Sequence, residues 1–223
     1  MSRSSNPVGT ASRVESAIDA FRRGEPVCIH DAADREGETD LVYPAGAVTP
    51  ASVARLRRDA GGLVCVALAH EVAEAFDLPF LQDALDHPAA ADHDLTYDDR
   101  SSFSLPVNHR ETDTGITDED RALTIRELAA AATAPGETDF AATFRTPGHV
   151  HVLRGAPDLL DDRRGHTELG LALAEAADLP PAVVVCEMLD GDTGGALSPR
   201  DASLYAEAHD LPYVEGSQLV ERL

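Results

Sequence analysis

"RRGHTELGLALAEAADLPPAVVVCEM", residues 163–188, is the stretch whose reading decides the fold. Its first part, "HTELGLALAEAADL", reads as a helix whose apolar positions include Leu169, Leu171, Leu173 and Ala174. Its last part, "AVVVCEM", is a short continuous apolar run, the pattern of a strand covered on both faces. A helix leading into a buried strand is the repeating unit of an α/β sheet. The same rhythm runs outward in both directions. Upstream stand the helix "SRVESAIDAFRRG", with Ser12 and Glu15 at capping-box spacing and Gly24 past its last turn, and the strands "PVCIH" and "DLVYPA". The helix "TPASVARLRRDAGG" follows, capped by Thr49 with Pro50 at its first position and closing on Gly61. Then come the strand "GLVCVALA", the extended "SFSLPVN", the helix "TDEDRALTIRELAAAA" capped by Thr117, and the strand "HVHVLR". Downstream is the helix "SPRDASLYAEAH", with Ser198 as cap and Pro199 first. Residues 78–99 follow no period and read as a variable loop. The expectation is a single α/β domain over residues 1–223, a mixed sheet packed by helices.

The chain has 223 residues, enough to bury roughly 70% of its unfolded surface. It carries 18 basic and 40 acidic residues, a formal charge of −22, and every one of the basic residues is arginine. Such a surface repels polyanions, so neither nucleic acid nor an anionic membrane is expected as a partner. It suits concentrated salt instead, where a Debye length of about 3 Å at 1 M screens the self-repulsion, and a halophilic cytoplasm is the expectation. Cys28, Cys65 and Cys186 each sit inside an apolar run and read as buried strand thiols. The N-terminal "MSRSSNPVGTAS" has no apolar signal core, and no stretch approaches the ~20 apolar residues of a membrane span, so a soluble, cytoplasmic protein is expected.

Five segments could carry chemistry. "DREGETD", residues 34–40, sets Asp34, Glu36, Glu38 and Asp40 at alternate positions. It is either a solvated acidic loop or, if extended, a row of carboxylates on one face that a hard cation such as Mg²⁺ would bridge. "RRGHTE" opens a helix, where free N–H groups, the two arginines and a threonine hydroxyl suit a phosphate, while a capped surface turn is the plain alternative. In "RTPGHVHVLR", Pro147 and Gly148 read as a turn, and His149 at the mouth of the following strand is an acid/base candidate or a backbone-bonded strand end. Glu187 ends the buried strand "AVVVC", where α/β sheets place ligand sites, or where the strand has simply reached water. The turn in "DTGITDEDR" could line a pocket or only cap its helix.

In order, "DREGETD", "GGLVCVAL", "TGITDEDRALTI", "RTPGHVHVLR", the opening stretch and the following "DGD" resemble 3,4-dihydroxy-2-butanone 4-phosphate synthase, an enzyme of riboflavin biosynthesis. The resemblance spans nearly the whole chain from Pro26. It implies a lyase that converts D-ribulose 5-phosphate to L-3,4-dihydroxy-2-butanone 4-phosphate and formate with Mg²⁺ or Mn²⁺, as a homodimer. Residue by residue, it implies metal ligation by Glu36 and His166. It implies substrate contacts from Arg35, Glu36, Asp40 and Glu187 and from the phosphate stretch Arg163, Arg164, Gly165, His166 and Thr167. His149 and Glu187 match the residues essential to catalysis. Two segments depart from the family pattern. Arg-Glu-Gly-Glu-Thr-Asp stands where many bacterial members have Arg-Glu-Asn-Glu-Gly-Asp, and "TGGALSPR" replaces a Gly-Thr-Met-Ala-Arg-like run. Many members are fused to GTP cyclohydrolase II, a domain for which this chain is too short. A metal-dependent phosphosugar isomerase or aldolase would need the same residue types, and a catalytically inactive binding module is the alternative outside enzymes.

Overall fold

The computed structural model describes residues 7–31, 37–90 and 100–223, with side chains from Ser12 onward. The seven strands among the described residues are β1 (Val27–His30), β2 (Thr39–Pro44), β3 (Cys65–Leu68), β4 (Phe103–His109), β5 (Phe144–Arg154), β6 (Ala182–Val185) and β7 (Tyr213–Glu215). The helices among the described residues are α1 (Pro7–Arg22), α2 (Pro50–Asp59), α3 (His70–Ala75), α4 (Leu81–Ala84), α5 (Asp118–Thr133), α6 (Phe140–Thr143), α7 (His166–Ala176), α8 (Pro199–Ala208) and α9 (Gly216–Arg222). The strands form one sheet in the order β4-β5-β3-β6-β2-β1-β7. β3 runs parallel to β5 and β1 parallel to β7, and the other pairings are antiparallel, so the sheet is mixed as expected.

Local chemistry explains most of the element ends. Thr49 accepts from the Ser52 N–H in a reciprocal capping box, with Pro50 pre-set for the first helical position. Thr117 and Ser198 cap α5 and α8 by accepting from Asp120 N–H and Asp201 N–H. The first helix departs from expectation. The described part of it runs from Pro7, so Ser12 lies inside the helix and not at its start. The central strands β1, β2, β3 and β6 are buried at every residue, which is why β3 and β6 are continuous apolar runs without alternation, while β1 and β2 carry buried polar residues, His30, Thr39 and Asp40, at one end. All three cysteines are free and buried.

Register sets the two faces of the sheet. Cys65 on β3 pairs with His151 on β5 and with Val185 on β6. Asp40, at the start of β2, is bridged to Glu187, two residues beyond Val185. Because side chains alternate along a strand, Val185, Glu187, Asp40 and Cys65 share one face. α7 covers that face. A Cβ on Gly170 would lie 3.0 Å from Val183 Cγ2 and 3.3 Å from Val42 Cγ1, so a larger residue would have to push these valines aside by a few tenths of an ångström. Residues 177–181 join the C-terminus of α7 to the start of β6, the end of the sheet opposite Glu187. The N-terminus of α7 therefore points to the end where Asp40 and Glu187 meet.

Candidate active site

The floor of the site is the junction of β2 and β6. Leu41 N–H donates to Cys186 O at 2.9 Å and Met188 N–H to Thr39 O at 2.7 Å, which continues the ladder past the named strands and sets Asp40 opposite Glu187. Gly61, at the end of the α2 turn, donates its N–H to Glu187 O at 2.6 Å and holds this segment from the side. Asp40 is fully buried and Glu187 half-buried. Directly opposed side chains have Cβ atoms about 5 Å apart. Like charges on directly opposed residues repel one another. A cation or sugar hydroxyls brought between them offset that repulsion. The Cys65 thiol beside them is held well above the ordinary thiol range, first by burial and then by the neighbouring Glu187, Cys186 and Asp40. Such an environment disfavours the thiolate, the nucleophilic form of cysteine.

The wall is the N-terminus of α7. Gly165 is the N-cap and has no side chain to offer, so this helix start has no side-chain cap, and the Glu168 N–H turns to its own carboxylate. His166, Thr167 and Glu168 of that turn are all buried. Thr167 Oγ1 has no hydrogen-bond partner among the described residues, a donor suited to an anion's oxygen. Glu168 is anchored at both oxygens, accepting from Ala156 N–H at 3.1 Å and from Arg163 Nη1 at 2.8 Å. Burial lifts its carboxyl above the usual range, and Arg163 opposes that rise. Arg163 is thus fixed beside the helix start by an ion pair in which only 14% of its side chain is exposed. Arg164 goes elsewhere. Its Nε donates to Leu160 O, and it lines a cavity of about 790 Å³ with Leu171, Glu175 and Arg222 on the far side of α7. Adjacent arginines point apart at this turn, so a shared phosphate grip by both is not what the backbone builds.

The third component is a break in the β4–β5 pairing. Val107 pairs with Val150, but the next residue, Asn108, pairs with Arg145, so residues 146–149 loop out of the ladder. Expected to form a turn before a strand, Pro147 and Gly148 instead lie within β5, and His149 stands on this excursion. A Cβ on Gly148 would fall 1.9 Å from Val107 C and 2.3 Å from Asn108 N, so the excursion requires glycine where it crosses β4. Asn108, buried in β4, accepts the His149 N–H on Oδ1 at 2.8 Å, and its amide lies 3.2 Å (Nδ2) and 3.3 Å (Oδ1) from His149 Nδ1. β5 lies parallel to β3, while β6 is antiparallel to it. Two residues before His151 and two beyond Val185 therefore fall at the same end of the sheet. His149 and Glu187 accordingly flank β3 from either side, two strand spacings apart, about 10 Å.

The model of the family 3,4-dihydroxy-2-butanone 4-phosphate synthase matches residues 15–222. The chain belongs to this family. The synthase of Archaeoglobus fulgidus is 48% identical over 219 residues, covering 93% of this chain and 92% of that protein. The crystal structure of the Candida albicans synthase superposes with a TM-score of 0.78 at 33% identity, over 93% of this chain and 95% of that one. A synthase crystallised in complex with two magnesium ions superposes with a TM-score of 0.79 at 31% identity, covering 92% and 94% of the two chains.

Within the synthase fold, the structure brings Asp40, Glu187, Gly165, His166, Thr167 and Arg163 to one end of the sheet, with His149 on the neighbouring strand. Arg35 and Glu36 lie outside the described residues. Among the described residues no three His, Cys, Asp or Glu side chains form a metal cluster. Of the two expected ligands only His166 is described, and the imidazole it places at the helix start is a donor type that divalent cations accept. Sequence reasoning missed Cys65 as a floor residue, Glu168 as the anchor of Arg163, and Asn108. Cys65 and Glu168 stand inside the quoted stretches "GGLVCVAL" and "RRGHTE", but the roles of all three come from strand register and packing that the sequence does not display.

Proposed function

We propose that the chain converts D-ribulose 5-phosphate to L-3,4-dihydroxy-2-butanone 4-phosphate and formate, a lyase step of riboflavin biosynthesis. The observation that carries this reading is the opposed Asp40–Glu187 pair beneath the open N-terminus of α7. That arrangement joins a hydroxyl- and cation-binding carboxylate pair to a phosphate site. The phosphate is held by the first-turn N–H groups after Gly165, the Thr167 hydroxyl and Arg163, with Arg164 adding charge from behind the helix. Asp40 and Arg35 orient the sugar hydroxyls. Glu187 takes the proton from C3 of the ketose, and His149 supplies the proton for departure of the C1 hydroxyl. Glu36 and His166 would hold magnesium, or manganese in the same ligands; the ion, when bound, stabilises negative charge on adjacent sugar oxygens as a Lewis acid. Arginine and cation together also offset the repulsion between a phosphosugar and a chain of charge −22.

Several properties complete the reading. The protein works in the cytoplasm of a halophile, as a homodimer. Ile116, 52% exposed on a loop fixed by Asp120, offers apolar surface for a second copy to cover. No described helix is long and apolar enough to cross a membrane. Removing either proposed metal ligand tests the assignment. Glu36→Gln and His166→Ala should abolish formate release and weaken Mn²⁺ binding in electron paramagnetic resonance titrations, with unchanged circular dichroism. Near wild-type turnover in either variant removes that residue from the metal site. Product analysis tells the synthase from an isomerase or aldolase, because only the synthase releases formate.

A further inference from the structure

The Asn108 amide faces His149 with both of its ends. Its oxygen is pinned by the His149 main-chain N–H at 2.8 Å, which fixes which end is oxygen, since an amide nitrogen there would meet another donor. The same oxygen lies 3.3 Å from His149 Nδ1, and the amide nitrogen lies 3.2 Å from that ring nitrogen. Asn108 itself is held. It is 3% exposed, and a Cβ on Gly115 would lie 2.0 Å from its Nδ2 and 2.4 Å from its Cγ, so the loop after β4 closes directly over the amide. That loop is in turn fixed by Gly115 N–H donating to Asp120 Oδ2 at 2.8 Å and by Arg145 Nη2 donating to Asp113 O at 3.0 Å. A buried, clamped amide that contacts one imidazole nitrogen with both a donor and an acceptor is more than a surface hydrogen bond.

We propose that Asn108 is the positioning residue for His149, setting which ring nitrogen carries the proton and holding the ring still while that proton is transferred. In the neutral ring, Nδ2 donates to Nδ1, so the proton resides on Nε2, the nitrogen left to face the sugar. When the ring takes up a second proton, Nδ1–H donates to Oδ1 without any turn of the amide; delivery of the Nε2 proton leaves the Nδ1–H form, still bonded to Oδ1, which returns to the resting tautomer by proton exchange with solvent. The ring therefore keeps one orientation through the cycle, and its partner adds no charge in either state. An aspartate of the same shape would satisfy the main-chain N–H but could only accept from Nδ1. It would draw the proton to Nδ1, leave Nε2 bare in the neutral ring and favour the charged ring. The titratable and charged groups around this arrangement are Arg145, the cross-strand partner of Asn108, His151, two residues along β5, and Asp113 and Asp120 in the loop that closes over the amide.

This inference rests on the acid/base role proposed for His149, and the test separates the two. With histidines labelled by ¹⁵N in the ring, the His149 signals are assigned by their loss in His149→Asn. Wild type should show a protonated Nε2 and a bare Nδ1 in the neutral ring. Asn108→Asp, nearly isosteric, should show the proton moved to Nδ1 and a basic limb of the kcat profile displaced to higher pH. Its kcat should fall about tenfold or more, with KM for ribulose 5-phosphate changed by less than about twofold. Asn108→Asp with an unmoved ring proton, or with wild-type kcat while His149→Asn is inactive, overturns the positioning role. Full turnover in His149→Asn overturns the acid/base role instead, and the ring-nitrogen signals still decide what Asn108 does to the imidazole.

Discussion

Gly148→Ala is the most demanding test of how the site is built. The added Cβ would lie 1.9 Å from Val107 C, 2.3 Å from Asn108 N and 2.3 Å from Val107 O, against an ordinary contact of 3.4–4 Å. All three atoms are backbone, so no side chain can swing aside. β4 and β5 must separate locally by more than an ångström. That movement breaks the His149 N–H bond to Asn108 Oδ1 and strains the Val107–Val150 rung beside it. One lost hydrogen bond costs about 0.5–1.5 kcal/mol, and overpacking adds about 1–3 kcal/mol. The sum is about 3 kcal/mol, which for a domain of this size lowers Tm by roughly 6–12 °C. Thermal unfolding followed by circular dichroism in molar KCl measures the first effect. Formate release measures the second, because His149 moves with the strand, and kcat should fall more than KM rises. A Tm within about 2 °C of wild type together with unchanged turnover would refute both the β4–β5 crossing and the placement of His149 on it.

Three further outcomes follow from the same structure. Glu187→Gln and His149→Asn should each lower kcat by about 10²-fold or more while leaving ribulose 5-phosphate dissociation nearly unchanged, since the phosphate contacts come from α7; loss chiefly of affinity would contradict the roles given to them. Burial raises the Glu168 carboxyl against the pull of Arg163, so its contribution to stability is present below its ordinary value of 4.5 and is lost as pH rises through the raised value. The difference in unfolding midpoint between wild type and Glu168→Gln should therefore change sign-consistently between about pH 4 and about pH 8, favouring wild type more at the acidic end, and parallel curves would count against the buried pair. The charge of −22 predicts that Tm rises from low to molar KCl by more than apolar burial alone explains, a comparison made against a more strongly excluded salt; a flat or falling Tm would contradict adaptation to salt.

Much of this molecule could be read in the chain, for physical reasons that differ by element. The buried strands announced themselves as unbroken apolar runs, and α2, α5 and α8 as threonine or serine followed by proline or acids, because capping is a local interaction. Glu187 was legible because a charge ending such a run must sit at a strand's edge. β7 and α9 were not, since a three-residue strand leaves no period to detect. The His149 excursion was misread as a turn: "TPG" has turn composition, and what overrides it is the register break against β4, a contact across 41 positions of sequence in the case of Asn108 and His149. Asn108 and Glu168 were illegible for the same reason. Arg163 and Arg164 looked equivalent in sequence, and only the packing of Glu168 against Ala156 decides which of them stays at the helix start.

The central claim is the fate of one carbon. Incubating the purified protein with ribulose 5-phosphate carrying ¹³C at C4, with Mg²⁺ in molar KCl, and following the mixture by ¹³C NMR tests it directly. The account predicts that the label appears as formate, in step with an unlabelled four-carbon phosphate, and that removing Mg²⁺ by chelation stops both. Label retained in a five-carbon product, or divided between aldol fragments with no formate signal, would contradict it.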